Sequence, residues 1–249
     1  AIGGVIGPII GGNLAMFSWQ YPFLFYGVSI LLALAVYFWL PSTGGNSDVS
    51  LLAFAANYKA IIKKGSFLVV AGYNFIMAFL MISLVTYVPL YFSAAMGITE
   101  GMAGNVLALQ GLTGIVVAAK IKDIALRFNT TRLVAGGLLL TVLALLSFPL
   151  HTTLIGVAFS VLVFGFGLGI VLSLINTMIT DAVRPEFLGA AVSLFNMMNF
   201  AGQAASPVVL GAITARLGLS TAFIAAAAVA LVAVTATFIW GKLLPVTFK

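Results

Sequence analysis

The chain contains no cysteine and one histidine, His151. Disulfides, thiol nucleophiles, cysteine metal sites and multi-histidine metal sites are therefore excluded, and no metal or cofactor is expected. His151 stands beside Pro149 between two apolar runs and reads as a loop histidine. Charge is also scarce: charged residues make up 6% of the chain, against roughly 25% in a soluble domain. The acids Asp48, Glu100, Asp123, Asp181 and Glu186 all fall at the ends of apolar runs or between them, so no carboxylate lies at mid-depth of a run. HExxH, GxSxG and the phosphate-binding GxxxxGK are absent, so an enzyme is not expected. Rings of like charge or a carbonyl filter, which a channel would want, are not visible. No initiator Met, basic flank or signal-peptide pattern precedes the first apolar run, which opens at Ala1 in mid-segment. The expectation is that further N-terminal helices precede this sequence.

What fills the chain is apolar: 63% hydrophobic residues and a mean hydropathy of +1.23. The runs are long and continuous, unlike the short alternating segments of a membrane β-barrel. The fold class is thus an all-α polytopic membrane protein. A membrane helix needs about 20 mainly apolar residues. Splitting the runs at turn signals gives eight spans, near 1–17, 22–40, 67–92, 101–120, 132–150, 154–180, 187–214 and 221–241.

One long connection, Pro41 to Lys64, separates spans two and three. It opens on a turn-rich piece, Ser42 to Asp48. Leu51, Leu52, Phe54, Ala55, Tyr58, Ile61 and Ile62 then recur at helical spacing, with Lys59, Lys63 and Lys64 off that face. This predicts an amphipathic helix lying on the membrane surface. Eight spans put Lys59, Lys63, Lys64, Lys120, Lys122, Arg127, Arg132, Arg184, Lys242 and Lys249 on one side and Arg216 alone on the other. By the positive-inside rule the first side, with the C-terminus, is cytoplasmic. The net charge of +6 is then a topology signal spread over short loops, and no nucleic-acid partner is expected.

The opening stretch, Gly3 to Gly12, carries Gly3, Gly7 and Gly11 at every fourth residue, with Pro8 inside the run. On a helix these glycines form one bare stripe, which in lipid lets a second helix approach closely. On that reading Gly7→Val would damage packing. The stretch has an echo 199 positions downstream: Gly3 aligns with Gly202, Gly7 with Ser206, Pro8 with Pro207 and Gly12 with Gly211. Each copy is followed by a short loop and one more span, so spans one and two correspond to spans seven and eight. The repeat unit is then six helices, of which the first unit contributes only its last two here. The domains expected are 1–41 (end of a first six-helix half), 42–65 (linker) and 66–249 (second half).

These features resemble the major facilitator superfamily of secondary transporters, and its drug/proton antiporter-like branch in particular. Gly3 to Gly12 matches that branch's fifth-helix motif, GxxxGPxxGG. Trp19-Gln20-Tyr21 with Phe23 resembles the Trp-Arg-x-x-Phe that follows, with Gln20 in place of the arginine. Ala119-Lys120-Ile121-Lys122-Asp123 resembles the start of the cytoplasmic loop motif GxLADRxGRR; reaching Arg127 needs a three-residue insertion. Pro89-Leu90-Tyr91 and the Gly97-Ile98-Thr99 that follows resemble the junction of helices seven and eight. Arg184-Pro185-Glu186 with Gly189 resembles the loop before helix eleven.

The resemblance implies helices five to twelve of a twelve-helix bundle with pseudo-symmetric halves. It implies alternating access, with efflux of small amphipathic or hydrophobic compounds coupled to an ion gradient. The alternatives are an uptake carrier for a polar nutrient, or a non-transporting truncated or structural membrane protein. The partners implied are a small-molecule substrate, a coupling proton and the lipid bilayer of a plasma or inner membrane; a monomer is expected. A role in a charge contact that breaks and reforms is implied for Asp123 and, through the insertion, for Arg127.

Candidate cavity residues are the polar ones inside the spans. Ser193, Asn196, Asn199, Gln203 and Ser206 are three, three, four and three apart. They predict one polar face on span seven turned into the protein, since polar groups facing lipid are costly. Interhelical hydrogen bonding is the alternative role for these amides. Asn176 belongs to a second polar face on span six, and Gln110 is central in span four. Asn74 shares a face of span three with Met77, Met81 and Val85. Gly165, Gly167 and Gly169 suggest close packing or a flexible point.

Overall fold

The computed structural model describes residues 2–40 and 58–244, and among them every regular element is a helix. In chain order these are α1 (Ile2–Ala15), α2 (Tyr21–Phe25), α3 (Val28–Trp39), α4 (Gly65–Met96), α5 (Glu100–Arg127), α6 (Thr130–Ser147), α7 (Leu154–Ala182), α8 (Leu188–Leu217) and α9 (Ser220–Trp240). Asp48, the turn-rich piece 42–48 and the residues 51–57 of the expected surface helix lie outside the described residues. Residues 58–62 are helical, and Ile61 is buried.

Local chemistry sets the boundaries. The side chains of Thr99, Asn129 and Thr153 accept hydrogen bonds from Met102, Thr131 and Gly156 N–H, capping α5, α6 and α7. Gly97 ends α4 in the left-handed conformation, φ 65°. Glu100 in the first turn of α5 and Arg127 in its last turn both complement the helix dipole. The expected span 22–40 is broken at Tyr26–Gly27, where Ser29 Oγ donates to the Tyr26 carbonyl at 2.6 Å and competes with the backbone ladder. Several helices outrun their expected spans. α5 continues through Lys120, Lys122 and Asp123, because a helix need not stop where the hydrocarbon does.

Six segments are long and apolar enough to cross a membrane by length and composition: 21–39, α4, α5, α6 with its short extension, α7 and α9. Two of the eight expected spans, α8 and α1, fall outside that set. α8 has 30 residues, about 45 Å of helix, but its polar residues dilute its hydropathy. α1 has 14, about 21 Å, shorter than a hydrocarbon core of about 30 Å.

α7 is central. It packs on α5 and α6 and touches α4; α9 lies against α6, α4 and α8, and α8 against α4. Phe92, Phe148 and Phe223 fix one end of the bundle, with ring centroids 6.2 and 5.1 Å apart. At the same end His151 Nε2 lies 2.6 Å from Ser160 Oγ, which is 2.7 Å from Ser147 Oγ. Ser147 spends its single proton on the Ala144 carbonyl. Ser160 therefore donates to Ser147, and His151 Nε2–H donates to Ser160. The loop histidine thus pins the α6–α7 hairpin. The opposite end gathers the starts of α4 and α6 and the end of α9: Thr131 Oγ1 donates to the Gly241 carbonyl at 3.3 Å. That end carries the basic residues, so the bundle has one basic and one nearly uncharged end. α3 has no buried residue.

α1 lies antiparallel along α5, but not through the expected stripe. A Cβ added at Gly3, Gly7 or Gly11 would meet nothing within 4 Å. The contact face is Gly4, Pro8 and Gly12. A Cβ at Gly12 would come within 2.9 Å of Gly104 Cα, one at Gly111 would lie 2.5 Å from the Gly4 carbonyl carbon, and one at Gly104 would overlap the Pro8 carbonyl. Both ends of the stretch are glycine doublets, so two stripes exist about 100° apart, and the structure uses the second. Asn13 Nδ2 extends the seam toward Asn105 Oδ1 at 3.4 Å while also donating to the Ile9 carbonyl at 2.8 Å. In this 249-residue chain, Gly12→Val and Gly104→Val should weaken the α1–α5 seam by about 1–3 kcal/mol or more, because the obstacle is backbone. Gly7→Val should leave it intact. Thermal unfolding of the three variants in detergent checks this.

Candidate transport cleft

The sequence-derived polar candidates separate into two groups. The first is a ladder between α4 and α8, buried at Asn74 and half-buried at Asn199 and Gln203. Asn74 Nδ2 donates to the Phe195 carbonyl at 2.7 Å, Asn199 Nδ2 donates to Asn74 Oδ1 at 3.0 Å, and Gln203 Nε2 donates to Asn199 Oδ1 at 2.6 Å. Asn74 is 2% exposed. Each amide passes its oxygen to the next donor, so the three polarise one another in one direction. Gly202 makes the ladder possible: a Cβ there would overlap the Phe75 carbonyl of α4. Ser206 Oγ, fully buried in the same helix, has no partner and is the one such side-chain atom among the described residues.

The expected single polar face of α8 is therefore divided. At about 100° per residue, Asn199, Gln203 and Ser206 fall within roughly 60° of one another, while Ser193 lies about 80–140° away from them. Ser193 is accordingly exposed and donates to the Gly189 carbonyl at 2.9 Å; Asn196 is exposed too, although it lies only about 20° from Gln203 around the helix. Pro207 is exposed on α8 as well.

The second group faces open space. A cavity of about 340 Å³ lies where α1, α4, α5 and α7 converge. Gln110 of α5, Ser173 and Asn176 of α7 and Met81 of α4 line it. Its floor is bare backbone: Gly4, Gly111, Gly114, Gly165 and Gly169. The glycines of α7 are contact positions. Gly165 rests on Gln110, its added Cβ 2.8 Å from Gln110 Cα, Gly169 faces Gly114, and Gly167 turns the other way onto the Gly137 carbonyl. The Gln110 and Asn176 side chains make no hydrogen bond to other described residues, so their amides are available to a ligand. A second cavity of about 370 Å³ continues along the seam toward the end opposite the basic one, lined by Gly7, Pro8, Gly12, Val85, Pro89 and Glu100 among others. Gly7 thus borders space rather than a helix. Asn74 and Met77 are buried, whereas Met81 and Val85, on the same side of α4, reach the two cavities.

Asp123 and Arg127 lie on the final turns of α5, exposed and one turn apart. The segment is helical, as pairing requires, yet no ion pair joins them among the described residues. The seam pair Asn13 and Asn105 went unnoticed in sequence. An asparagine near the end of an apolar run was the available signal.

An uncharged cleft floored by glycine and set among membrane-length helices offers a place for a small molecule. The chain matches the Major Facilitator Superfamily over residues 1–207 and again over residues 93–247. It belongs to that superfamily, whose members are transporters rather than enzymes. Residues 93–207 are covered by both matches, which suits a fold built from repeated halves. No curated protein matches the chain.

The two groups of amides should respond differently to substitution. Asn74→Ala removes the centre of the ladder and strands its partners, costing about 0.6–2 kcal/mol in a membrane interior; melting temperature and membrane abundance should both fall. Gln110→Ala and Asn176→Ala should leave both unchanged. Thermal shift in detergent with quantified membrane expression checks the contrast.

Proposed function

We propose that this chain works in the export of small amphipathic or hydrophobic compounds by alternating access, coupled to an ion gradient. The observation that carries the reading is the position of α1. The helix bearing the antiporter-type motif forms a wall of the cleft that Gln110 and Asn176 enter, and it is held there by backbone contact with α5. A cleft with two free amides, a hydroxyl, a thioether and apolar walls suits neutral or amphipathic molecules. Met81 adapts its shape to different ligands. Rocking of α1 against α5 would open the cleft to one side or the other.

The proposed domains are the end of a first half in 1–41, a linker in 42–65 and the second half in 66–249. The internal repeat supports this. Gly202, Ser206 and Leu210 are buried, with Gly202 set on the α4 backbone. Their counterparts Gly3, Gly7 and Gly11 face no neighbour. A helix equivalent to α4, in a longer chain, fits that stripe. The basic end is proposed as the cytoplasmic side of a plasma or inner membrane, carrying the C-terminus.

Growth of deletion and overexpressing strains across a panel of toxic compounds tests the reading. Overexpression of the full-length protein should raise resistance several-fold to more than one amphipathic compound, and collapse of the transmembrane ion gradients should abolish the gain. Gln110→Ala and Asn176→Ala should change which compounds are resisted. Unchanged resistance, or greater sensitivity on overexpression, would favour a non-transporting protein or an uptake carrier instead.

A further inference from the structure

A groove of about 380 Å³ runs between α4 and α9 on the side of the bundle away from the cleft, lined by Gly65, Leu68, Gly72, Ile76, Trp240 and Leu243 among others. It is apolar. Tyr73, which borders it, commits its hydroxyl to Thr237 at 2.6 Å. The groove exists because α4 carries glycine where side chains would fill it: a Cβ at Gly72 would meet nothing within 4 Å.

Its depth and its mouth identify an occupant. From Gly65 to Ile76 the groove follows α4 for about 17 Å, close to one leaflet of a hydrocarbon core about 30 Å thick. It starts at the basic end. Gly65 lies against Leu243, its added Cβ 3.6 Å from Leu243 Cδ1, which brings the neighbouring Lys64 and Lys242 to the same mouth, with Lys63 beside them. Lys63 and Lys242 are exposed, and none of the three pairs with a carboxylate among the described residues. No side chain caps the N-terminus of α4, so the positive end of a 32-residue helix faces the same place. Trp240 lines the groove two residues before Lys242 and is exposed, and indoles are enriched at membrane–water interfaces.

We propose that this groove binds an anionic glycerophospholipid from the leaflet on the basic side. One acyl chain lies along Leu68, Gly72 and Ile76, and the phosphate is held by Lys64 and Lys242. The apolar lining and single-leaflet depth fit a hydrocarbon chain. The unpaired lysines select a negative headgroup over a zwitterionic one. The site is independent of the transport cleft.

The test uses the 249-residue chain in nanodiscs containing phosphatidylglycerol or phosphatidylcholine, each with a photoactivatable group on the acyl chain. Labelling by phosphatidylglycerol should concentrate on Leu68, Gly72 and Ile76 of α4 and on Ala236, Trp240 and Leu243 at the end of α9, and exceed that by phosphatidylcholine. The double variant Lys64→Gln, Lys242→Gln should lose phosphatidylglycerol labelling there by about tenfold while keeping its phosphatidylcholine labelling and its melting temperature. Gly72→Leu, which fills the groove, should abolish labelling by both lipids. Three results would overturn the proposal: equal labelling by the two lipids, equal labelling of the opposite, exposed α9 surface at Leu231 and Phe238, or a groove that neither lipid labels.

Discussion

In a bilayer, an apolar side chain gains nothing by leaving lipid for another helix, so helices that stay together must touch closely or share hydrogen bonds. The α1–α5 seam meets this condition with backbone. Gly12 faces Gly104, Gly4 faces Gly111, and the Pro8 carbonyl lies against Gly104. The same device continues inward, where Gly165 and Gly169 of α7 rest on α5 and Gly167 rests on Gly137 of α6. Without these contacts neither α1 nor α7 would sit where the cleft needs a wall. The glycines that allow close approach also leave the cleft unfilled: Gly4, Gly111, Gly114, Gly165 and Gly169 are at once contact surface and cavity floor. Into that space project Gln110, Ser173 and Asn176.

Hydrogen bonding divides the remaining polar residues by role. Asn74, Asn199 and Gln203 spend their amides on one another and on the Phe195 carbonyl, which ties α8 to α4. Such a ladder costs little while complete and more when a buried member such as Asn74 loses its partner. Gln110 and Asn176 have no such commitment. Ser206 Oγ is the exception, buried and unpartnered beside Pro207.

The fold class and nearly all helices were legible in the sequence, because a long uncharged run between turn signals has few other solutions. Helix ends were less legible. α5 runs on past Lys120, Lys122 and Asp123, where an uncharged run ends but the helix does not. The glycine stripe was legible as a packing device and wrong by one residue. Gly3-Gly4 and Gly11-Gly12 offer two equivalent stripes, and only the partner helix chooses between them. The polar face of α8 was legible as a face but not as two. Spacings of three drift backward around a helix, so Ser193 and Asn199 point apart while Asn199 and Gln203 agree. Which amides line a cavity and which hold helices together was not legible, since that depends on what stands opposite. The α4–α9 groove is bounded by ordinary apolar residues whose emptiness no sequence pattern marks.

The central claim is the register of α1 against α5, since the cleft depends on it. The chain has no cysteine, so engineered pairs report without background. The direct measurement is disulfide formation in native membranes between Asn13→Cys and Asn105→Cys, compared with Gly7→Cys paired with the same Asn105→Cys. Rapid cross-linking of the first pair and none of the second is the expected result. Cross-linking of the Gly7 pair with no reaction of the Asn13 pair would contradict the register, and with it the cleft built on that seam.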